Sequence, residues 1–470
     1  MGDAGLAGRR NGTGTQLIML RGSMSKSHPT PLLWQLSCLA AMLLCLAACV
    51  PVVTSSGGGN AESATGADGV YRDRVFSDQI QTVRLLQPDE QFYDVVIPIS
   101  QNIPVVLTFD WLELGNTQEV YEELNAKIIH CNADWRKSNL YSMDYLNDFN
   151  EFPITNEELS YNTKVPFAHY RWVLPRVKMP GNYAIVVYEG NNEDQVLFTK
   201  RFMVYDPLVS IRAQLLRSSG VSERDKRHQL EFLIDYQNLQ VPNPYDDVFV
   251  VIRQNQQWFN AISGLKPTFV REDVRELEYR QFDLENNFWA ANEFRFFDLR
   301  TTAALGQNVA EIIEDQLPME AFLLPDRSRA NEAYGQYNDL NGGFIIDNLE
   351  RPGGVLNSDY LQTHFFLDSE QQVDGDVYVI GAFNNRVLND KVKMEYDSLQ
   401  QGYKLEVLLK QGFYNYLYYV DDGGTGNPYR YDGSYFESEN LYEIFVYARP
   451  PGKRADVLVG YTTLVSNPRQ

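Results

Sequence analysis

Leu230-Glu231-Phe232-Leu233-Ile234-Asp235-Tyr236 decides the fold. Leu230, Phe232, Ile234 and Tyr236 fall on one side of an extended chain, with Glu231 and Asp235 on the other. Successive side chains leave a strand on opposite faces, so a period of two predicts a half-buried antiparallel strand. Tyr403, Leu405 and Val407 repeat the rhythm against Lys404 and Glu406, and Tyr414, Tyr416 and Tyr418 repeat it again. Ala184-Ile185-Val186-Val187 is apolar on both faces, which fits a central strand covered on two sides. Turn signals such as Pro180-Gly181-Asn182, Asn341-Gly342-Gly343 and Asp422-Gly423-Gly424 separate the runs. No useful length holds a 3.6-residue apolar period. The expectation is an all-β chain of tandem immunoglobulin-like β-sandwich domains.

The ends of the blocks are marked by turn chemistry. Asp206-Pro207 and Arg351-Pro352-Gly353-Gly354 divide the chain into an N-terminal sandwich at 75–206, a middle one at 207–354 and a C-terminal, early-set or immunoglobulin-like one at 355–470. Ahead of them, Leu46-Ala47-Ala48-Cys49 closes an apolar run from Pro31 to Ala48, with Arg21 and Lys26 upstream. A basic segment, an apolar segment and small residues before the cut are the parts of an export signal. The apolar run is also at the lower edge of a bilayer span. Its end, however, resembles the lipobox of bacterial lipoproteins, which implies a signal at 1–48 and diacylation of the Cys49 thiol. A start at Met24 leaves a signal of ordinary length. The Pro, Ser, Gly and Asn tract that follows predicts a flexible tether over 49–74.

Charge and cysteine content narrow the classes of function. The chain holds 41 Lys and Arg against 62 Asp and Glu, a formal charge of -21. Residues 1–48 contain Arg9, Arg10, Arg21, Lys26 and Asp3, so their removal leaves 37 against 61, or -24. Such a surface repels phosphate backbones, and no nucleic acid partner is expected. Of 4 cysteines only Cys131 lies beyond Cys49, which leaves no disulfide framework. A buried, inert thiol is expected there, since His130 beside it points to the opposite face of a strand.

No catalytic constellation stands out. The sequence lacks His-Glu-x-x-His, Gly-x-Ser-x-Gly and the phosphate-binding Gly-x-x-x-x-Gly-Lys. Gly423-Gly424-Thr425-Gly426 lacks a following lysine or helix and is expected to be a hairpin loop. In an extended segment His130 and Asp134 lie roughly 13 Å apart at about 3.3 Å per residue, too far to share an ion. A strand ending in an Asx-type turn, capped by a buried Trp135, accounts for both. Trp135 is expected in the core of the first sandwich. No enzyme activity, metal, cofactor or small-molecule substrate is expected.

One block is specific enough to carry a family likeness. His130-Cys131-Asn132-Ala133-Asp134-Trp135, then Ser138, Leu140 and Tyr145, resembles the signature of the type IX secretion system plug family. Ser160-Tyr161-Asn162-Thr163, His169-Tyr170, Pro175, Gly181-Asn182-Tyr183 and Arg201-Phe202 to Tyr205 continue in that family's order. Leu409 to Tyr416 and Phe436-Glu437-Ser438-Glu439-Asn440 look like its C-terminal block. The resemblance implies a periplasmic protein of Bacteroidota that closes the periplasmic mouth of a giant outer-membrane barrel while no substrate passes. It also implies structural or interface roles for His130, Asn132, Asp134, Trp135, Asn162, His169 and Tyr170. With the lipobox, and with no acidic run after Cys49 in Val50-Pro51-Val52-Val53-Thr54, it implies anchoring at the inner leaflet of the outer membrane. A second class of function is a lipoprotein that binds or processes glycans. Val377-Tyr378-Val379-Ile380-Gly381-Ala382-Phe383-Asn384-Asn385 is similar to a strand of starch-binding early-set modules, but no tryptophan follows Trp289 to form their sugar platform.

Overall fold

A computed structural model describes residues 64–468, apart from 89, 113–122, 191, 352 and 425. Cys49, the signal at 1–48 and the tether up to residue 63 lie outside the described residues. Helix is confined, among the described residues, to single turns such as Ser142–Tyr145 and Pro244–Asp247. No described helix is long and apolar enough to cross a membrane. The rest is strand and turn, arranged as three β-sandwiches.

In the first sandwich, Gly181–Glu189 lies between Val196–Tyr205 and Leu124–Cys131, with Arg74–Val75 and Phe152–Ile154 at the edges. The opposing sheet runs Ile80–Leu86, Val106–Leu112, Phe167–Val173 and Glu157–Leu159. Their apolar faces share Leu107, Phe109, Ile128, Ile185, Val187 and Phe198. The double-sided apolarity of 184–187 now has a cause. Ile185 and Val187 fill this core, whereas Ala184 joins a separate cluster with Val251 and Phe445 of the middle sandwich.

No sheet pairs strands across Asp206, but the sheets do not part at 354, where the sequence predicts a boundary. Val248–Gln254 pairs with Asn440–Ala448, which in turn pairs with Val457–Ser466. These face the sheet built on Arg227–Asp235, and the two share Leu230, Phe232, Ile234, Ile252, Ile444 and Val446. Conversely, Arg295–Asp298 and Phe344–Ile346 pair with Gly412–Asp421, and Met319–Leu323 pairs with Tyr360–Asp368. The C-terminal sandwich is therefore nested inside the middle one. Its entry and exit are tied together where Ser438 Oγ and Asn440 Nδ2 donate to the Ala290 carbonyl at 2.6 and 2.7 Å. Local periodicity identifies strands, while their partners are chosen by long-range packing.

Two smaller differences follow from coverage. The tyrosine strand Gly412–Asp421 is buried on both faces, with Asn415 and Leu417 at 0% exposure. The Tyr416 and Tyr418 hydroxyls donate to Asp326 at 2.5 and 2.7 Å, which lets these polar tips be buried. Residues 64–74, expected to be tether, are held against the body. Val70 bridges to Arg136, and the Tyr71 amide donates to the Trp135 carbonyl at 3.0 Å.

Candidate functional site: two buried junctions of the first sandwich

The strand Leu124–Cys131 sends His130 and Cys131 to opposite sides. His130 enters the first sandwich, edge-on to Tyr183 at 5.0 Å, with Nδ1 3.0 Å from Ser138 Oγ. A Cβ on Gly181 would overlap its ring, which is why the strand begins with glycine there. Burial pushes the imidazole down to about 4, with the Pro180 carbonyl opposing, so the ring is neutral at neutral pH. Cys131 faces away, buried, and its thiol is pushed up to about 12 by burial. That removes the thiolate needed for reactivity.

The strand then ends in the expected turn. The Trp135 amide donates to the Asn132 carbonyl and the Asn132 amide to that of Arg136, both at 2.9 Å. Trp135 takes a positive φ of 63° to close it. Asp134 is exposed and accepts from the Arg136 amide at 3.1 Å and guanidinium at 2.7 Å. Asn132 works across a boundary. Its Oδ1 accepts from the Asp456 amide while Asp456 Oδ2 accepts from the Ala133 amide, each at 3.1 Å.

Trp135 is buried, but not in the core of the first sandwich. It lies in the cluster between the first and middle sandwiches, with Phe445, Tyr447 and Leu458. Its ring meets Trp258 edge-to-face at 5.1 Å, and Arg201 stacks over both indoles at 4.6 and 4.8 Å. Trp135 thus lies in the cluster that also takes Ile129, Cys131 and Ala133, opposite the face from which His130 enters the first sandwich. Next to it Arg253, fully buried, donates to Glu443 at 2.5 and 2.9 Å and to Asp94 at 2.9 Å.

The second junction joins the first and C-terminal sandwiches. Its centre is Asp110, fully buried and the only charged residue of Val106–Leu112. Asp110 Oδ1 lies 2.6 Å from His169 Nδ1, and Oδ2 accepts from Tyr360 at 2.6 Å and from Lys410 at 2.5 Å. Burial alone would raise the Asp110 carboxyl, but Lys410 and His169 hold it below the usual carboxylate range. Lys410 is itself depressed by burial, which outweighs the attraction of Asp110. Its ammonium also sits 3.8 Å above the Phe167 ring. Nearby, the Asn162 carbonyl accepts from Arg351 at 2.7 Å, and Asp359 accepts from the Val165 amide at 3.0 Å.

The signature residues thus divide by place. His130 and Tyr170 belong to the first sandwich, Tyr170 stacking on Phe109 at 5.1 Å. Asn132 and Trp135 serve the junction with the middle sandwich; Asn162 and His169 serve the junction with the C-terminal one. Asp110, Tyr360, Arg253 and Glu443 were not singled out in the sequence. The available signal for Asp110 was a lone carboxylate within Leu107-Thr108-Phe109-Asp110-Trp111-Leu112. The segment similar to starch-binding modules also turns inward, with Asn385 accepting from Lys200 at 2.7 Å. Among the described residues no group of three or more His, Cys, Asp or Glu is placed to hold a metal ion. What this arrangement supplies is cohesion between sandwiches.

Fold and junctions define a protein of interlocked β-sandwiches whose motif residues fasten the first sandwich to the other two. The model of the type 9 secretion system plug protein first domain matches residues 80–206. The crystal structure of a hypothetical protein from Parabacteroides merdae ATCC 43184 is similar at a TM-score of 0.78 and 30% identity, covering 84% of this chain and 99% of that one. That coverage reaches well beyond residue 206, so the likeness includes the nested pair. A further match, a manganese lipoxygenase structure of Gaeumannomyces graminis with part of a Komagataella pastoris zonadhesin, has a TM-score of 0.14 and carries no argument. No curated protein matches the sequence. The chain belongs to the type IX secretion system plug protein family. Its role is therefore related to type IX secretion.

Proposed function

We propose that this protein is a non-enzymatic plug that reversibly closes the periplasmic mouth of the giant outer-membrane barrel of the type IX translocon. The observation that carries the reading is the plug-domain match over 80–206. The junctions support it, because a body meant to cover a wide pore must hold its shape under load. Separating the sandwiches would leave Asp110 without Lys410 and Arg253 without Asp94, and unpaired buried charge is strongly disfavoured. A lipid on Cys49, at the inner leaflet of the outer membrane, would keep the plug beside the barrel. Acyl chains contribute about 0.8 kcal/mol per buried CH₂, and tethering raises the local concentration so that modest affinity suffices. Release for passing cargo then remains possible. The test is affinity purification of the tagged chain from its own host's outer membranes, with and without secretion blocked. A giant barrel should copurify, more abundantly when no cargo passes. Its absence from both preparations would refute the proposal.

A further inference from the structure

A small open cavity of about 50 Å³ lies between the first and C-terminal sandwiches, and its charged lining includes Arg84, Asp94, Lys200, Arg201 and Arg386. Arg386 is delivered there by an unusual turn. Asn385 and Arg386 take consecutive positive φ values of 57° and 52°, and the Arg386 amide is fixed by the Gly381 carbonyl at 2.9 Å. Arg386 pays a conformational cost for this placement, whereas Asn385 adopts the region readily. The guanidinium so placed is only 7% exposed, yet its Nε and Nη2 have no hydrogen-bond partner. Arg201, 6% exposed, also has an unpartnered Nε, 3.6 Å from Asp73.

The surrounding carboxylates are already committed. Asp94 accepts from Arg253, Glu443 takes both remaining arms of Arg253, and Asp73 accepts from the Arg201 amide at 2.7 Å. In the cavity lining itself Arg84, Lys200, Arg201 and Arg386 face one carboxylate, Asp94, which leaves positive charge in excess. Burial also lowers the affinity of Arg386 for its proton, outweighing the opposing pull of Asp94, Glu443 and Asp73. Water could fill the N–H sites but not the charge deficit. The space suits one small ion with a few waters, since by this measure a single water needs about 10–15 Å³.

We infer that this cavity binds a small inorganic anion, halide- or phosphate-sized, which ties the C-terminal sandwich to the first by bridging Arg386 to Arg201. The test uses the purified full chain in detergent. Thermal unfolding is followed in sodium chloride, sodium phosphate and sodium gluconate at matched ionic strength. Chloride or phosphate should raise Tm over gluconate by about 2 °C or more, and the larger rise identifies the class of ion. Phosphate also stabilises proteins generally by exclusion from their surface. The informative quantity is therefore the part of the rise that Arg386→Gln abolishes. In parallel, crystals soaked in bromide should show an anomalous peak beside Arg386, a result that needs no variant to fold. Lys200→Gln, which keeps Arg386, should reduce the rise without abolishing it. Equal salt responses in wild type and Arg386→Gln, or a bromide map with no peak in the cavity, would overturn the inference.

Discussion

Where the first sandwich meets the C-terminal one, a single carboxylate is the centre: Asp110 takes His169, Tyr360 and Lys410 at 2.5–2.6 Å, with Asp359 and Asn162 adding hydrogen bonds beside it. Where it meets the middle one, the load is spread. Arg201 lies over Trp135 and Trp258, Arg253 joins Glu443 to Asp94, and Asn132 exchanges hydrogen bonds with the Asp456 segment. A junction centred on one acceptor fails at one substitution, whereas a distributed junction yields in parts. The same contrast explains legibility, since the distributed junction includes a contiguous motif and the centred one is assembled from positions hundreds of residues apart.

The largest effect is expected at the centred junction. Asp110→Ala leaves the Lys410 ammonium buried without its partner and should cost about 3–5 kcal/mol, measured from urea unfolding. Replacing both, as Asp110→Leu with Lys410→Met, should recover most of that loss, because the desolvation cost disappears with the charges. An Asp110→Ala loss no larger than that of a surface substitution would remove the distinction between the junctions.

Trp135→Ala should cost about 3 kcal/mol through the cavity it leaves. Its signature differs, since Arg201 keeps Trp258 and Arg253 keeps its carboxylates. Calorimetry should show the first sandwich melting apart from the nested pair, in two transitions instead of one. A single, uniformly lowered transition would mean that Trp135 belongs energetically to a shared core.

Acid separates the regions in two stages. His130 has a folded pKa of about 4, below the ordinary 6.5. The unfolded chain therefore binds more protons between these values, and stability falls as pH drops from 6.5 toward 4, by about 3 kcal/mol for this residue. His228, also pushed down to about 4 by burial, adds a loss in the same window within the middle sandwich. The Asp110 contribution is present above the unfolded carboxyl pKa and lost only as pH falls through its depressed folded value. Urea midpoints across pH 7 to 3 should thus decline first through the histidines, and His130→Gln should flatten the upper part of the decline. A flat profile between pH 6.5 and 4.5 in the wild type would contradict the assignment.

The smallest effect is expected from Tyr360→Phe. It removes one hydrogen bond to a charged acceptor and leaves Lys410 and His169 in place, for about 1.5 kcal/mol. A loss as large as that of Asp110→Ala would mean that the hydroxyl, and not the ammonium, satisfies the carboxylate.

Much of the fold was legible because a period of two is a local property. Leu230 to Asp235 and Tyr403 to Val407 are strands, and the chain turns after Cys131 as expected, through backbone bonds at Asn132–Trp135 and the Asp134 side chain on the Arg136 amide. Partnership was not legible. Asn440–Ala448 reads equally well as part of a last, self-contained sandwich, and only the packed core reveals that it completes the middle one. Asp110 was missed for a related reason. In a strand that alternates, a lone carboxylate looks solvent-facing, and no local pattern tells that a second sandwich carrying Lys410 covers that face. Trp135 is buried, as expected, but in a different core: it joins Cys131 and Ala133 on the face that a second sandwich covers, and no local pattern reveals that cover.

The central claim is tested most directly by outer-membrane permeability in the host. Cells lacking this protein, with the barrel shown to be assembled and unpartnered, should admit large antibiotics that intact cells exclude, and re-expression of the chain should restore exclusion. Normal permeability in cells that contain an open, unpartnered barrel would contradict the plug.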